Sequence, residues 1–217
     1  MDAINKKKLR LSLYALAYIV LTVVIVISAV SMFNNFYYES VYVSGGSMNP
    51  TLSGETGESL GSDYGIIDKN NGAKRNVKRF QIVTTYYSKD DTSYKIKRVL
   101  VKPNETFKIV DNDIYIRGKN GYGEPLSLTF KRHGVEELNE GEVETIKNYP
   151  ETTLGPDQYF LAGDNWSASY DSFNVGPIGF DLLVGVVVKM QGKCTVRNGK
   201  VVEKEPYADR YFLGVDY

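Results

Sequence analysis

Residues 79–101 read RFQIVTTYYSKDDTSYKIKRVLV, and this stretch decides the fold class. The runs RFQIVTTYY at 79–87 and YKIKRVLV at 94–101 are rich in Val, Ile, Thr and Tyr, which favour strands. The intervening SKDDTS consists of residues that favour turns. The stretch therefore predicts a hairpin of two adjacent antiparallel strands.

Similar runs continue after this hairpin. Residues 107–121, FKIVDNDIYIRGKNG, predict a second hairpin with its turn at Asp111–Asp113. Strand character returns in 157–162, and the apolar run LLVGVVVKM at 182–190 is typical of a buried strand. Together with 17 Tyr and 9 Phe, these runs predict a mainly β protein built from antiparallel sheets.

The N-terminal region has a different character. Residues 11–32, LSLYALAYIVLTVVIVISAVSM, contain no charged side chain and are long enough for a helix to cross about 30 Å of hydrocarbon. A cleaved secretory signal is the alternative, but its apolar part is typically about 7–15 residues long, so the length favours a retained anchor. The positive charges that precede the segment are Lys6, Lys7, Lys8 and Arg10, whereas the first charge after it is Glu39.

The positive-inside rule then sets the organisation of the chain. Residues 1–10 are predicted to be a cytoplasmic tail, 11–32 a single transmembrane helix in the plasma membrane, and 36–217 an extracytoplasmic domain. Within that domain, residues 120–156 are polar and predict a smaller insertion with a short helix near Val135–Ile146.

Composition excludes several kinds of function. Lys plus Arg and Asp plus Glu are balanced at 26 each, so no overall charge favours nucleic acid as a partner. The one cysteine, Cys194, makes an internal disulfide impossible, and its position between two predicted strands indicates a packing residue. His133 lies among charged residues and is predicted to be a solvated loop histidine, although a Ser-His-Asp triad would have to use it.

A serine follows two glycines in SGGSMNPT, residues 44–51. Glycine lets the backbone approach a substrate closely, so Ser47 is a candidate nucleophile at a cleft. Many Gly-Ser loops only turn the chain, and that alternative stays open for this motif alone.

Lys97 is the candidate base. Strand alternation places Lys95, Lys97, Val99 and Val101 on one face and Ile96, Arg98 and Leu100 on the other. Apolar surroundings disfavour the ammonium form and lower the pKa of a lysine, and a neutral amine can accept the proton of a serine. The alternative is a strand-edge lysine whose ammonium reaches water.

Residues 163–177, GDNWSASYDSFNVGP, bring hydroxyl, amide and carboxylate groups together after a predicted strand. Such groups can support a catalytic pair through hydrogen bonds, and a cluster of turns is the alternative.

The motifs SGGSMNPTL, RFQIVTT, YKIKRVLVKPNE and FLAGDNWSASYDS occur in the order seen in type I signal peptidases, behind an N-terminal anchor. The chain resembles this family, particularly its Gram-positive members, over residues 11 to about 179. The resemblance implies a coiled antiparallel β-sheet catalytic domain that needs no cofactor or metal. It also implies that Ser47 is the nucleophile, that Lys97 is the general base and that Ser169 orients the amine of Lys97.

Further roles are implied by the same resemblance. Gly163, Asp164 and Asp171 match a supporting acidic motif, with Arg98 as its counter-charge. The residues implied to line shallow pockets for Ala-sized side chains of the substrate are Val41, Val43, Met48, Leu52 and Ile96. The substrates implied are exported preproteins, cut after small residues at the end of the signal peptide.

The chain also departs from the family pattern. Trp166 and Phe173 stand where arginines usually follow GDN and DS, so Asp171 is expected to lose a usual partner. Gly45 replaces a serine, which leaves the oxyanion hole mainly to the backbone N–H of Ser47. KPNE at 102–105 replaces the more usual LPGD after the lysine strand.

Three alternatives remain at the level of the sequence. One is a specialised signal peptidase for a few clients such as pilin subunits, and another is a non-catalytic, membrane-anchored pilus assembly factor of the same fold. A self-cleaving repressor-type protease would share the Ser-Lys pair, but residues 11–32 are apolar where a DNA-binding domain would be expected.

Overall fold

The computed structural model describes residues 2–55, 57, 59–126 and 146–207. Helix α1, Asp2–Tyr37, contains the predicted membrane segment. Judged by length and composition, it is long and apolar enough to cross a bilayer from Lys8 to Tyr37. The chain divides into two compact units, Met1–Glu39 and Ser40–Tyr217, of which the second is mostly antiparallel β-sheet. The predicted fold class, mainly β behind an N-terminal apolar helix, is confirmed.

The larger sheet of the described residues has eight strands in the order β1-β2-β11-β3-β4-β9-β10, with β12 paired to β11. Its strands are β1 Tyr38–Tyr42, β2 Ser62–Asp68, β3 Ile82–Thr85, β4 Lys95–Val101, β9 Gln158–Ala162, β10 Ile178–Gly179, β11 Leu183–Arg197 and β12 Lys200–Pro206. Short helices α2, Asn71–Arg75, and α3, Ser172–Val175, and a 3-10 turn, Phe180–Leu182, connect some of them.

The predicted hairpin at 79–101 is present, with β3 and β4 antiparallel and Val83 opposite Lys97. The first strand is shorter than its run of β-formers, because Phe80 adopts a positive φ of 66° before Ile82. In the turn, the carboxylate of Asp91 accepts a hydrogen bond from the backbone N–H of Tyr87 at 2.8 Å. Polar turn residues therefore close the hairpin as their composition predicts.

A smaller sheet has the order β7-β6-β5-β8 among the described residues. Its strands are β5 Thr106–Val110, β6 Asp113–Gly118, β7 Gly121–Tyr122 and β8 Tyr149–Thr153. The two ends of the predicted 120–156 insertion thus contribute strands to this sheet. Most of the predicted helix near Val135–Ile146 lies outside the described residues, as does His133.

The simple alternation predicted for β4 holds only at its beginning. Ile96 and Val99 pack in different apolar clusters, but Leu100 and Val101 pack in the same one. The pairing of β4 with β9 shifts register between Val99 and Val101. Such an irregularity turns successive side chains toward one side, so periodicity alone misplaces Leu100 relative to Val101.

The predicted location of Cys194 between two strands is wrong. The strand at 182–190 continues to Arg197, and Cys194 lies inside it, paired with Ser62 on one side and Lys204 on the other. The thiol is buried beside Tyr64 and Val196, and burial raises its pKa. Its surroundings fit the predicted packing role.

Candidate active site

The loop that carries Ser47 connects β1 to β2 and is closed at its base. The backbone N–H of Gly45 donates to the carbonyl of Gly54 at 2.8 Å. A Cβ at Gly54 would lie 2.3 Å from the carbonyl oxygen of Gly45, and Gly45 itself has a φ of +81°. Glycine is therefore required at both positions for the chain to close this tightly. Ser47 is half-buried on the loop.

Lys97 lies in the middle of β4 and meets Ser47. Its Nζ donates to the Ser47 Oγ at 2.7 Å, and its side chain is buried, with the residue 4% exposed. Burial lowers the pKa of Lys97 to about 8, assisted by the nearby charge of Lys95 and opposed by Asp171 and Asp164. This amine is thus far more easily deprotonated than an ordinary lysine, and the pair meets the distance requirement for proton transfer.

Pairing of β4 with β9 brings the segment after β9 to the same place. Arg98 is opposite Ala162, so Gly163 and Asp164 follow directly beside Lys97 and Arg98. Arg98 holds the carboxylate of Asp164 with two hydrogen bonds, from Nε at 2.8 Å and from Nη2 at 2.6 Å. This bidentate contact is the stronger form of an arginine–carboxylate ion pair, and it fixes the orientation of both groups.

Arg98 also makes contacts that the sequence did not indicate. Its Nη1 donates to the carbonyl of Phe80 at 2.7 Å, and its Nη2 lies 3.5 Å from the hydroxyl of Thr51. Thr51 is the last residue of the SGGSMNPT motif. Its place in that motif was the available signal, but no local pattern predicts that its hydroxyl lies near Arg98. Arg98 thereby connects the Ser47 loop to Asp164.

Asp171 is 1% exposed and finds its support in the backbone. Its carboxylate accepts from the N–H of Gly163 at 2.9 Å and from the N–H of Phe173 at 3.1 Å. Asp171 also forms a capping box with Asn174 at the start of α3. Backbone amides thus replace the charged partner that Asp171 was expected to lose.

Gly163 is in contact with the Ser47 loop. A Cβ at this position would lie 2.3 Å from the Ser47 carbonyl oxygen and 2.4 Å from Ser169 Oγ. The same carbonyl accepts a hydrogen bond from the N–H of Asn165 at 3.0 Å. The absence of a side chain at Gly163 therefore lets the two segments meet.

Ser169 is brought into the site, but the expected hydrogen bond to Lys97 is not formed. Its hydroxyl is buried and, within the described part of the chain, has no hydrogen-bond partner. The geometry at Gly163 places this hydroxyl next to the Ser47 loop. The sequence thus predicts that Ser169 lies near the site, but the hydrogen bond that it predicts for the Ser169 hydroxyl is not formed.

Trp166 and Phe173 pack against each other, with ring centroids 5.1 Å apart. Phe173 also contacts Phe160 of β9 and Tyr149 of β8, at 5.2 and 6.3 Å between centroids. The two residues that replace the family's arginines therefore anchor the 163–173 segment in an apolar cluster shared with the smaller sheet.

The five residues expected to line the substrate pockets lie together. Val41, Val43, Met48, Leu52 and Ile96 form one buried cluster with Ile67, Ile82, Val187 and Met190. Partly buried Tyr94, Val184 and Tyr207 pack against it, and sequence reasoning missed these three. Side chains from the Ser47 loop and from β4 thus pack in one buried apolar cluster, which includes Met48 and Ile96, the sequence neighbours of Ser47 and Lys97.

Tyr87 is a further residue that the sequence did not single out. Its hydroxyl donates to the carbonyl of Tyr170 at 2.6 Å, and burial, followed by the charges of Asp171 and Asp91, raises its pKa. The bond connects the end of the β3–β4 hairpin to the residue before Asp171.

The mainly β domain holds a serine hydroxyl against a buried lysine, and comparison with known proteins gives the family. Residues 16–191 match the model of the family described as signal peptidase, peptidase S26. The chain belongs to this family of peptidases.

Two relatives found by sequence, both from Bacillus subtilis, agree with this assignment. The chain is 32% identical to signal peptidase I V of Bacillus subtilis over 166 residues, which cover 76% of this chain and 92% of that protein. It is 31% identical to signal peptidase I T of the same organism over 75% of this chain and 78% of that protein. A crystal structure of a signal peptidase I from Enterococcus faecalis matches with 24% identity and a TM-score of 0.36, covering 52% of this chain and 97% of that one.

Proposed function

We propose that this chain is a membrane-bound signal peptidase I that removes N-terminal signal peptides from exported preproteins by a Ser-Lys mechanism. Ser47 is the nucleophile and Lys97 the general base. The observation that carries the proposal is the 2.7 Å contact between the Ser47 hydroxyl and a buried amine whose pKa is lowered to about 8. A protonated lysine at its ordinary pKa would be unable to accept the serine proton near neutral pH.

In the first step, neutral Lys97 takes the hydroxyl proton as Ser47 Oγ forms a bond to the carbonyl carbon after a small residue. The carbonyl electron pair moves to oxygen, and the backbone N–H of Ser47 donates to the resulting oxyanion. The Lys97 ammonium then gives its proton to the departing amine as the C–N bond breaks. The signal peptide stays as an ester on Ser47, and the mature protein leaves with a new N-terminus.

In the second step, Lys97 takes a proton from water as the water oxygen attacks the ester carbonyl. The Ser47 Oγ–carbon bond breaks, Ser47 recovers its proton from Lys97, and the signal peptide leaves as a carboxylic acid, which then loses its proton to water. One amine thus serves both steps.

The supporting residues act on the position of this pair. Arg98 and Asp164 hold the Ser47 loop through Thr51, and Asp171 holds Gly163 against the same loop. Ser169 offers its buried hydroxyl to the amine when substrate fills the site.

The apolar cluster beside the pair is proposed to receive the substrate. Small side chains before the cut would lie against Val43, Met48, Leu52 and Ile96, while the extended peptide adds as a strand near Val41. These four side chains are only 1–9% exposed, so the contact that they offer a substrate is shallow and suits small residues.

The membrane is proposed to bring enzyme and substrate together. With α1 in the bilayer and the N-terminus in the cytoplasm, enzyme and preprotein diffuse in one plane, because the preprotein is held by its own apolar leader. The effective concentration of substrate rises without any added contact.

The test is cleavage of a membrane-tethered preprotein by the purified full chain, beside Ser47→Ala and Lys97→Ala. Each substitution should abolish turnover, by about 10³-fold or more. Turnover equal to that of the unsubstituted chain in either variant removes that residue from the mechanism. Lys89→Ala, in the exposed turn before the same strand, is the matched lysine control and should retain most of the activity.

A further inference from the structure

Asp63 is a buried carboxylate that the proposed mechanism does not use. It lies at the start of β2 and is 4% exposed. Its main chain bonds to both sides of the Ser47 loop, since the N–H of Val43 donates to the Asp63 carbonyl and the N–H of Asp63 donates to the Ser53 carbonyl, each at 2.8 Å.

The side chain of Asp63 adds a third bond to the same loop. The N–H of Ser53 donates to Asp63 Oδ2 at 2.7 Å. Val43 precedes the loop and Ser53 follows the motif that contains Ser47, so a single residue holds the entry and the exit of the loop. The Gly45–Gly54 bond closes the same base one step farther along.

The second carboxylate oxygen is held from another part of the fold. Lys193 Nζ of β11 lies 3.0 Å from Asp63 Oδ1, and the Tyr207 hydroxyl donates to the same oxygen. Tyr207 also packs against the apolar cluster beside the Ser-Lys pair. A buried charge is tolerated when it is paired and hydrogen-bonded, and here both conditions are met.

We propose that Asp63 is a positioning residue for the reaction. It holds both ends of the loop that carries Ser47 and connects this loop to the β11–β12 hairpin through Lys193. The proposal rests on the proposed function, because it takes Ser47 as the nucleophile. Displacement of a reacting group by about 1 Å can cost about 10²-fold in rate, so a loosened loop should reduce turnover in a protein that is still folded.

The experiment compares Asp63→Ala, Asp63→Asn and Asp68→Ala in the full chain, with kcat, KM and thermal unfolding measured on a tethered preprotein. Asp68 is the matched control, because it lies at the other end of β2 and accepts a backbone hydrogen bond from Asn70 at 2.8 Å. Activity is measured well below the unfolding transition of every variant.

Asp63→Ala should lower kcat by about 10-fold or more, whereas Asp68→Ala should stay within about 2-fold. Asp63→Asn keeps an oxygen for the Ser53 N–H and an amide that can donate to the Tyr207 hydroxyl, but it loses the ion pair with Lys193, so its kcat should lie between those of Asp63→Ala and the unsubstituted chain. A purely structural role would lower the unfolding temperature and leave the kcat of the folded variants unchanged, and that result overturns the proposal.

If Asp63→Ala does not fold, the Lys193→Gln, Tyr207→Phe double variant decides the question. It leaves the carboxylate in place but removes the ion pair with Lys193 and the hydroxyl donor of Tyr207, and kcat should fall by about 3- to 10-fold. An unchanged kcat in this folded double variant contradicts the proposal. Ser47→Ala is included throughout, because activity in that variant contradicts the proposed function, whereas an inactive Ser47→Ala beside an unaffected Asp63→Ala contradicts the positioning role alone.

Discussion

Lys97 is the residue whose protonation should set the pH dependence of the enzyme. Its pKa is lowered to about 8, and only the neutral form accepts the serine proton. The neutral fraction grows as pH rises, so kcat/KM should increase about tenfold per pH unit below pH 8 and level off above it. The measurement is a pH–rate profile on a tethered preprotein, and a flat profile from pH 6 to about 9 would contradict the role of Lys97.

Lys95 provides the control for that assignment. Its charge helps to lower the pKa of Lys97, so Lys95→Gln should move the rising limb to higher pH. Lys89, exposed in the turn between β3 and β4, does not act on Lys97 in this way. Lys89→Gln should leave the limb in place, and equal shifts for both variants would point to a general charge effect.

Gly163 is a position where one added carbon should damage activity. A Cβ would lie 2.3 Å from the Ser47 carbonyl oxygen, a backbone atom that cannot move without displacing the nucleophile. Gly163→Ala is therefore expected to reduce kcat by about 10²-fold or more. Gly123→Ala, with no atom within 4 Å of its Cβ, is the control.

Both glycine variants are purified and assayed for cleavage and thermal unfolding. Gly123→Ala should match the unsubstituted chain in both. If Gly163→Ala cleaves at a normal rate, the close approach of the two segments is not needed for activity.

At the scale of elements, Phe173 joins α3 to β9 of the larger sheet through Phe160 and to β8 of the smaller sheet through Tyr149. Because Phe173 also donates its N–H to Asp171, we expect Phe173→Ala to lower kcat about 10-fold and stability by about 1–3 kcal/mol. Phe107, in the same aromatic cluster but on β5, is the matched control.

Phe107 is fully buried, so Phe107→Ala should cost more stability, about 3–5 kcal/mol. It should nevertheless change kcat less than Phe173→Ala, since no ring contact joins it to the 163–173 segment within the described residues. Unfolding curves and steady-state rates measure both effects. If the variant that loses more stability also loses more kcat, Phe173 has no effect on the site beyond its effect on stability.

The elements also show what the sequence can predict. Both hairpins and the apolar helix were predictable, because periodicity and turn composition are local signals. The long strand through Cys194 and the irregularity near Leu100 were not, since pairing with neighbouring strands decides them. The partners of Thr51 and Asp63 depend on segments far along the chain, which no local pattern specifies.

Considered as a whole, the molecule separates its charge between the two ends of the apolar helix. The segment at 11–32 is preceded by a cluster of basic residues and followed first by Glu39. Basic residues near a membrane segment are retained on the cytoplasmic side, so the β domain is expected outside. A tag at the N-terminus should then be protected when protease is added to intact protoplasts, while the β domain is accessible to it.

Neutralising the basic cluster tests whether charge sets this orientation. The variant carries Lys6→Gln, Lys7→Gln, Lys8→Gln and Arg10→Gln. Part of the population should invert and expose the tag, because the difference in basic charge across the helix is lost. The control, Lys200→Gln with Lys204→Gln, removes basic charge far from the helix in sequence and should keep the tag protected. Digestion of the tag in protoplasts carrying the unsubstituted chain would place the Ser-Lys pair on the cytoplasmic side, where it would not meet the cleavage sites of exported preproteins.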